Sequence, residues 1–238
     1  MPVDAEVQTP RSAQRDLLLQ RIHAAEQSKG ISADAVYDAV VQTIESLDLK
    51  GVVLDYGAGV GNLTRRLIAL ERFEAVFAAD IMAQPQDLQG VHWIAQDLNC
   101  PVEGYENAFD VVVAAEVIEH LENPRLVVRE LSRMVRPGGT VIVTTPNNES
   151  WRSLVAFLVR GHYAAFGDLS YPAHITALLR KDFTRICSEA KLSAPTFSFA
   201  HHGGIPGKPS LSWQKISLGL LGGMRYSDTL LVVARKPL

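Results

Sequence analysis

Residues 52–67, Val-Val-Leu-Asp-Tyr-Gly-Ala-Gly-Val-Gly-Asn-Leu-Thr-Arg-Arg-Leu, leave this chain few folds to choose from. Val52, Val53 and Leu54 are apolar and two of them are β-branched, which suits a buried strand. Gly57, Gly59 and Gly61 stand at alternate positions, where the backbone can turn sharply and a ligand can lie against it. Leu63, Leu67 and Leu70 then fall at helical spacing, with Arg65 and Arg66 free to point outward. Strand, glycine turn and helix make a nucleotide-type site, with N–H groups at the helix start and an acid, Asp55, at the strand end.

What is missing narrows the nucleotide. A dinucleotide fingerprint has a glycine at the last position of Gly-x-Gly-x-x-Gly. Counted from Gly57, that position holds Asn62, which disfavours a nicotinamide dehydrogenase. A P-loop needs Lys followed by Ser or Thr, and none follows. A glycine turn with an acid and no phosphate grip suits a cationic, phosphate-free nucleoside such as S-adenosylmethionine. The Asp-x-Gly-x-Gly-x-Gly stretch resembles motif I of the class I S-adenosylmethionine-dependent methyltransferases.

The rest of the chain agrees in pattern. Residues 75–80, 92–97, 109–115 and 140–145 read as further strands, with a helix over 126–135 stopped by Pro137-Gly138-Gly139. Phe109 to Glu116 resembles the class's fourth-strand motif, and Pro137-Gly138-Gly139-Thr140 its turn before strand five. Strands alternating with helices predict an α/β fold with a Rossmann-like, doubly wound sheet. Right-handed crossovers put the strand ends, with Asp55, Asp80, Asp97 and Glu116, on one ligand-binding edge. Later strands at 196–200 and 229–234 bring the sheet to seven, the last antiparallel as the resemblance implies.

One methyltransferase domain over 1–238 is expected. It comprises N-terminal helices in 1–47, a cofactor-binding core over 50–146, a helical substrate-side insertion over 147–180, and a C-terminal helix and strands over 181–238. Residues 1–10 read as frayed. Leu17, Leu18, Ile22 and Ala25 form one apolar stripe, and Val36, Ala39, Val40, Ile44 and Leu47 another. Gly30 separates them and Ser32 is a candidate cap. The aromatics Trp151, Phe157, Tyr163, Phe166 and Tyr171 either stack on substrate or fill the insertion's own core.

The resemblance implies cofactor contacts from Asp55, Gly57, Ala58, Gly59 and Gly61. Asp80, with Ile81 beside it, can accept the ribose hydroxyl protons, as acids do at this place in dinucleotide folds. The resemblance further implies that Asp97, with Leu98, takes the adenine amino group; Glu116 completes the set. For Asp80 and Asp97 the plainer reading is a helix-capping or turn acid.

Glu116-Val117-Ile118-Glu119-His120 carries the chemistry. On a helix, Glu116 would face both Glu119 and His120. Carboxylates held that close repel unless a proton or cation lies between them. His174 supplies a second imidazole from far along the chain. Two carboxylates and two histidines suit Mg²⁺, Mn²⁺ or Zn²⁺. The layout resembles the metal site of small-RNA 3′-terminal 2′-O-methyltransferases and of ubiquinone-biosynthesis O-methyltransferases, which implies Glu116, Glu119, His120 and His174 as ligands. Alternatively, His120 or His174 acts as a base beside Glu119, or only orients the loop. An alcohol must lose a proton as it attacks, so this cluster favours oxygen as methyl acceptor.

The expected activity is therefore methyl transfer to a hydroxyl of a small molecule or glycan. The alternatives are a 3′-terminal RNA 2′-O-methyltransferase and a non-catalytic binding protein on the same fold. A formal charge of −3 gives no global basic field for nucleic acid. Cys100 and Cys187 form no CxxC pair. The N-terminus lacks an apolar signal core and no run is long enough to span a bilayer, so a cytoplasmic location is expected. Residues 216–224 are apolar; burial between strands six and seven is expected, with membrane contact as the alternative. His201 and His202 read as exposed loop residues that could reach the substrate edge.

Overall fold

β-Branched and small residues in unbroken runs build the centre of the sheet. In the computed structural model, which describes residues 10–28 and 30–238, these runs are β1 (Gly51–Tyr56), β2 (Phe73–Asp80), β3 (His92–Ala95), β4 (Phe109–Ala115) and β5 (Val135–Pro146). β6 (Thr196–Phe199) and β9 (Thr229–Arg235) complete a seven-stranded sheet of order β3-β2-β1-β4-β5-β9-β6. β9 runs antiparallel to both neighbours, and the other pairings are parallel. The fold is α/β and Rossmann-like, as expected. Residues 1–10 are expected to fray; residues 1–9 lie outside the described residues, and Pro10 already opens the first helix, Pro10–Ser28.

Alternate residues of each central strand enter different layers, which is why the runs are apolar on both faces. Leu54 and Tyr56 of β1 and Val112 and Ala114 of β4 pack with Val127, Leu131 and Phe183. These last come from α4 (Pro124–Met134) and α6 (Arg180–Glu189). Val53, Val111 and Val113 pack on the opposite face with Tyr37, Val40, Ile44, Leu63 and Leu67. That second layer is α2 (Asp34–Ser46) and α3 (Asn62–Ala69). Arg66 of α3 ties the two helices together, pairing with Asp34 at 2.6 Å and with Asp38, its guanidinium 5.1 Å from the Tyr37 ring centroid.

Several local expectations differ from what the chain does. Ser32 does not cap α2: the cap position is Ala33, and the Ser32 amide donates to the Tyr37 hydroxyl at 2.8 Å. Leu17 and Leu18 of α1 (Pro10–Ser28) are exposed, and so is Leu47, which lies past the end of α2 as its C-cap. α4 stops at Met134, and Pro137-Gly138-Gly139 already belongs to β5. β3 ends at Ala95, so Asp97 sits in the loop beyond it.

The insertion after β5 holds α5 (Trp151–Arg160) and a 3-10 turn at Asp168–Ser170. Its aromatics mostly pair with one another or with neighbours: Phe157 stacks on Tyr163 at 5.2 Å and Phe166 tilts against His174 at 5.5 Å. The connection from β6 to β9 contains a hairpin, β7 (Gly204–Ile205) and β8 (Lys208–Ser212), then α7 (Trp213–Ile216) and a 3-10 turn at Met224–Tyr226. Residues 216–224 are not buried between strands: Ile216, Leu218 and Leu220 are exposed. The segment instead forms the end of α7 and a loop held by Gln214, whose Nε2 donates to Leu221 O at 3.0 Å. Among the described residues no helix is long and apolar enough to cross a membrane.

Candidate active site

In a doubly wound sheet the crevice opens where strand order reverses, here between β1 and β4. A cavity of about 580 Å³ lies at that point. Gly57, Gly59, Asp80, Ile81, Asp97, Leu98 and Glu116 all line it, as do Arg21 and Leu17 from α1. Asp55, Ala58 and Gly61, expected among the contacts, are not in its wall.

Asp55 has a different task. It is buried and its Oδ2 accepts from the Thr64 hydroxyl at 2.6 Å, which pins the turn to α3. Burial lifts its carboxyl to about 7, and the nearby Asp80 charge adds to the rise. Gly61 is the left-handed cap of α3, where a Cβ would lie 2.2 Å from Leu88.

Gly57 has φ 89°, and a Cβ there would stand 2.3 Å from Val117 Cγ2. A side chain is therefore excluded both by conformation and by space. Gly57→Ala is expected to weaken S-adenosylhomocysteine binding about tenfold, or 1.4 kcal/mol, since alanine at this φ costs about 1–2 kcal/mol and displaces Val117. Titration calorimetry of the variant measures this; an unchanged affinity would contradict the close packing of turn on loop.

Asp80 turns its carboxylate into the cavity while two backbone amides hold it. Gly59 N–H donates to Oδ2 at 2.7 Å and Met82 N–H to Oδ1 at 2.8 Å. Burial raises its pKa, and those two amides oppose the rise. Asp97 accepts from Asn99 N–H at 3.0 Å and from Arg21 Nη1 at 2.6 Å. The same guanidinium reaches Glu122 at 2.7 Å, so α1 is tied across the cavity mouth. Sequence reading missed Arg21, a cation on a helix whose apolar stripe gives no sign of its place over the cavity.

The second polar group lies deeper. Glu116, with φ 55°, precedes a 3-10 turn at Ile118–His120. The single-helix face expected for Glu116, Glu119 and His120 is thus absent, because the backbone reverses at Glu116. The turn still gathers Glu119, His120 and distant His174, whose ligand atoms all lie within 4.8 Å of one another. Glu116 falls outside that group but is close enough for its charge to act on Glu119.

Each member is held. Glu119 is fully buried; Thr145 donates to its Oε2 at 3.1 Å and its Oε1 has no partner. Its backbone carbonyl accepts from Ile175 and Thr176 N–H at 2.9 and 3.1 Å, which draws the His174 segment in. His120 Nδ1 lies 2.8 Å from Ala173 O, and His174 Nδ1 lies 2.7 Å from Ala165 O. A carbonyl only accepts, so each Nδ1 carries the proton and each neutral ring keeps its Nε2 lone pair. Burial, then His174, lowers His120 to about 4, and burial lowers His174 too. Burial lifts Glu116 to about 7 and, with the Glu116 charge, raises Glu119 well above the carboxylate range.

Glu116 and Glu119 each keep a buried Oε1 without a hydrogen bond. Two imidazole lone pairs, two orphaned carboxylate oxygens and carbonyl-oriented rings fit a divalent cation. A smaller chamber of about 350 Å³ adjoins this group, lined by Glu116, His120 and His174. Gly30, Glu116 and His120 line both chambers; His174, Arg152, His202 and Asp228 line the smaller one.

The family described as "Methyltransferase domain" matches residues 17–193, which covers most of the chain and the whole of the cavity's strand edge. The chain belongs to this family. Its glycine turn, strand-end acids and sheet order are those of a class I S-adenosylmethionine-dependent methyltransferase, and the cavity fits that cofactor. Among curated proteins, this methyltransferase is 29% identical over 115 residues to the ubiquinone biosynthesis O-methyltransferase of Erwinia tasmaniensis, across 44% of this chain and 46% of that one. It is 31% identical over 148 residues to that of Maricaulis maris, across 54% and 57%. The chain thus spans about half the length of the curated relatives it matches.

Among solved structures, the Burkholderia thailandensis 1,6-didemethyltoxoflavin-N1-methyltransferase, bound to 1,6-didemethyltoxoflavin and S-adenosylhomocysteine, matches with a TM-score of 0.63. The identity is 17% and the match covers 100% of this chain and 94% of that one. The methyltransferase domain of a bacterial Hen1 matches at 0.55 with 22% identity, over 84% and 97%. Both show the fold.

Proposed function

We propose that this methyltransferase moves a methyl group from S-adenosylmethionine in the larger chamber to a hydroxyl of a small molecule or glycan held in the smaller one. The shared wall of Glu116 and His120 carries the reading. A methyl group passing in line from sulfonium to acceptor must cross at that wall, and alignment supplies most of the rate. The acceptor oxygen must shed a proton there, and His120, His174 and Glu116 line the chamber where it would do so. The curated relatives' name, O-methyltransferase, supports oxygen, and their ubiquinone label supports a ring carrying neighbouring hydroxyls.

We assign Glu119, His120 and His174, with Glu116 beside them, as the candidate ligands of a divalent cation. When bound, such an ion supplies a positive charge that lowers the pKa of a neighbouring hydroxyl. The residues do the rest: the two rings are fixed by their carbonyls, and Thr145 fixes Glu119. The raised carboxylates hold protons near neutrality, so cation binding releases them. Mn²⁺ affinity is therefore expected to rise between about pH 6 and 8, with proton uptake by the buffer. Calorimetry in buffers of different ionisation enthalpy measures both; a pH-independent affinity would contradict the assignment.

The test of function is a labelled-methyl assay on a panel of catechols, vicinal diols and amines, before and after exhaustive chelation. Methylation of one hydroxyl of an adjacent pair, lost on chelation and restored by Mg²⁺, Mn²⁺ or Zn²⁺, is expected. Transfer to nitrogen alone would overturn the oxygen reading, and full activity after chelation would remove the cation.

A further inference from the structure

The excursion between β6 and β9 ends in a loop, residues 217–223, that shows leucines to water. Leu218 is 93% exposed and Leu220 is 88% exposed. The loop is firmly tied. Gln214 donates from Nε2 to Leu221 O at 3.0 Å and to Tyr226 O at 2.9 Å, and its Oε1 accepts from Gly203 N–H at 2.9 Å. Leu221 N–H donates to Ser217 Oγ at 3.0 Å, and Gly219 N–H to Gln214 O at 2.8 Å. Leu218 stands at φ 53°, a left-handed conformation unfavourable for a leucine. A loop this well bonded, carrying a leucine in an unfavourable conformation, is a displayed surface rather than a slack connection.

α5 belongs to the same body. It packs on β7 and on the 3-10 turn at Met224–Tyr226, and the Arg225 guanidinium lies 5.4 Å from the Trp151 ring centroid. It adds exposed Phe157, with Leu158 at 82% and Val159 at 77% exposure. Leu218 with Leu220, and Leu158 with Val159, each set large apolar side chains close together in water, which suits a contact surface. The segments that build it carry cations and no acids, and Asp228, an acid that touches them, is paired with Arg152 of α5 at 2.8 Å. Residues 150–167 and 190–227 contain no Asp or Glu, in a chain whose formal charge is −3. Arg160, Lys208 and Lys215 enter none of the ion pairs among the described residues.

We propose that this surface docks the protein on an anionic lipid membrane. Leu218, Leu220, Leu158 and Val159 enter the boundary of headgroups and acyl chains, and Arg160, Lys208 and Lys215 meet the anionic headgroups. A symmetric contact with a second copy would instead set cation against cation. The chemistry of the methyl acceptor plays no part in this inference, and lipid binding reads it without any turnover.

Vesicle flotation tests it, using phosphatidylcholine with and without phosphatidylglycerol. The protein is expected to float with the anionic vesicles, to bind neutral ones at least about tenfold more weakly, and to release in high salt. The double variant Leu218→Asp, Leu220→Asp is expected to lose about tenfold or more in vesicle affinity while still binding S-adenosylhomocysteine. Lys208→Glu with Lys215→Glu, which leaves the leucines in place, is expected to lose roughly fivefold per charge. Failure to float with anionic vesicles overturns the proposal. So does equal flotation of the leucine variant, or a dimer in solution that this variant dissociates without any lipid binding.

Discussion

Asp80→Ala leaves a protein that folds but loses about 100-fold or more in affinity for S-adenosylhomocysteine. An ionised carboxylate accepting two ribose hydroxyl protons contributes about 1.5–3 kcal/mol per hydrogen bond, and one such bond at the upper end already gives two decades. Asp80 is also the partner of Gly59 N–H and Met82 N–H, so its loss loosens the glycine turn at the same time. Asp80→Asn separates the two effects, because the amide keeps an acceptor for one backbone amide but cannot carry the charge. It is expected to fall between wild type and alanine. Calorimetry with S-adenosylhomocysteine is the measurement, and an alanine variant that binds as wild type would take Asp80 out of the site.

Glu119→Gln changes shape little and removes the carboxyl that ionises when a cation binds. Divalent-ion binding is expected to drop by on the order of 100-fold and methyl transfer with it, since even groups that only orient metal ligands contribute 10–100-fold. S-adenosylhomocysteine affinity is expected to stay within about twofold, because Glu119 lines neither chamber and reaches the cofactor only through the 3-10 turn. The side chain is fully buried with one unpartnered oxygen, so replacing its carboxylate by an amide is also expected to ease folding in the apo protein. Thermal melting without added ions then rises, opposite to the fall in activity. A variant with normal turnover would leave Glu119 as a buried acid with no part in catalysis.

The sheet was legible because its signals are local. Val52 to Leu54, Val111 to Val113 and Val141 to Val143 are apolar runs that suit only strands buried on both faces. Asp80 and Asp97 were found from their place after strands two and three, and both line the cavity. Asp55 was read into the same row, but its neighbour Thr64 lies on the next helix and claims its carboxylate. Spacing along one strand does not reveal that competitor.

The 116–120 cluster was assembled for a different reason from the one that holds. Helical spacing was expected to gather it, whereas a left-handed residue at Glu116 followed by a 3-10 turn does so. His174 arrives through the Glu119 carbonyl and Ala165, bonds between backbone groups that leave no mark in side-chain identity. Arg21 and the β7–β8 hairpin were missed because a helix-borne arginine and a Pro206-Gly207 turn have many uses. The exposed leucines at 218 and 220 ran against the general rule that apolar segments are buried.

The central claim is that one methyl-donor chamber and one cation-holding cluster meet at Glu116 and His120. A crystal grown with S-adenosylhomocysteine and Mn²⁺, measured at the manganese edge, tests both halves at once. The account predicts the nucleoside against Gly57, Gly59 and Asp80, and a single anomalous peak at about 2.0–2.3 Å from Glu119, His120 and His174. A filled cofactor chamber with no peak in that cluster, or with the peak elsewhere, would contradict it.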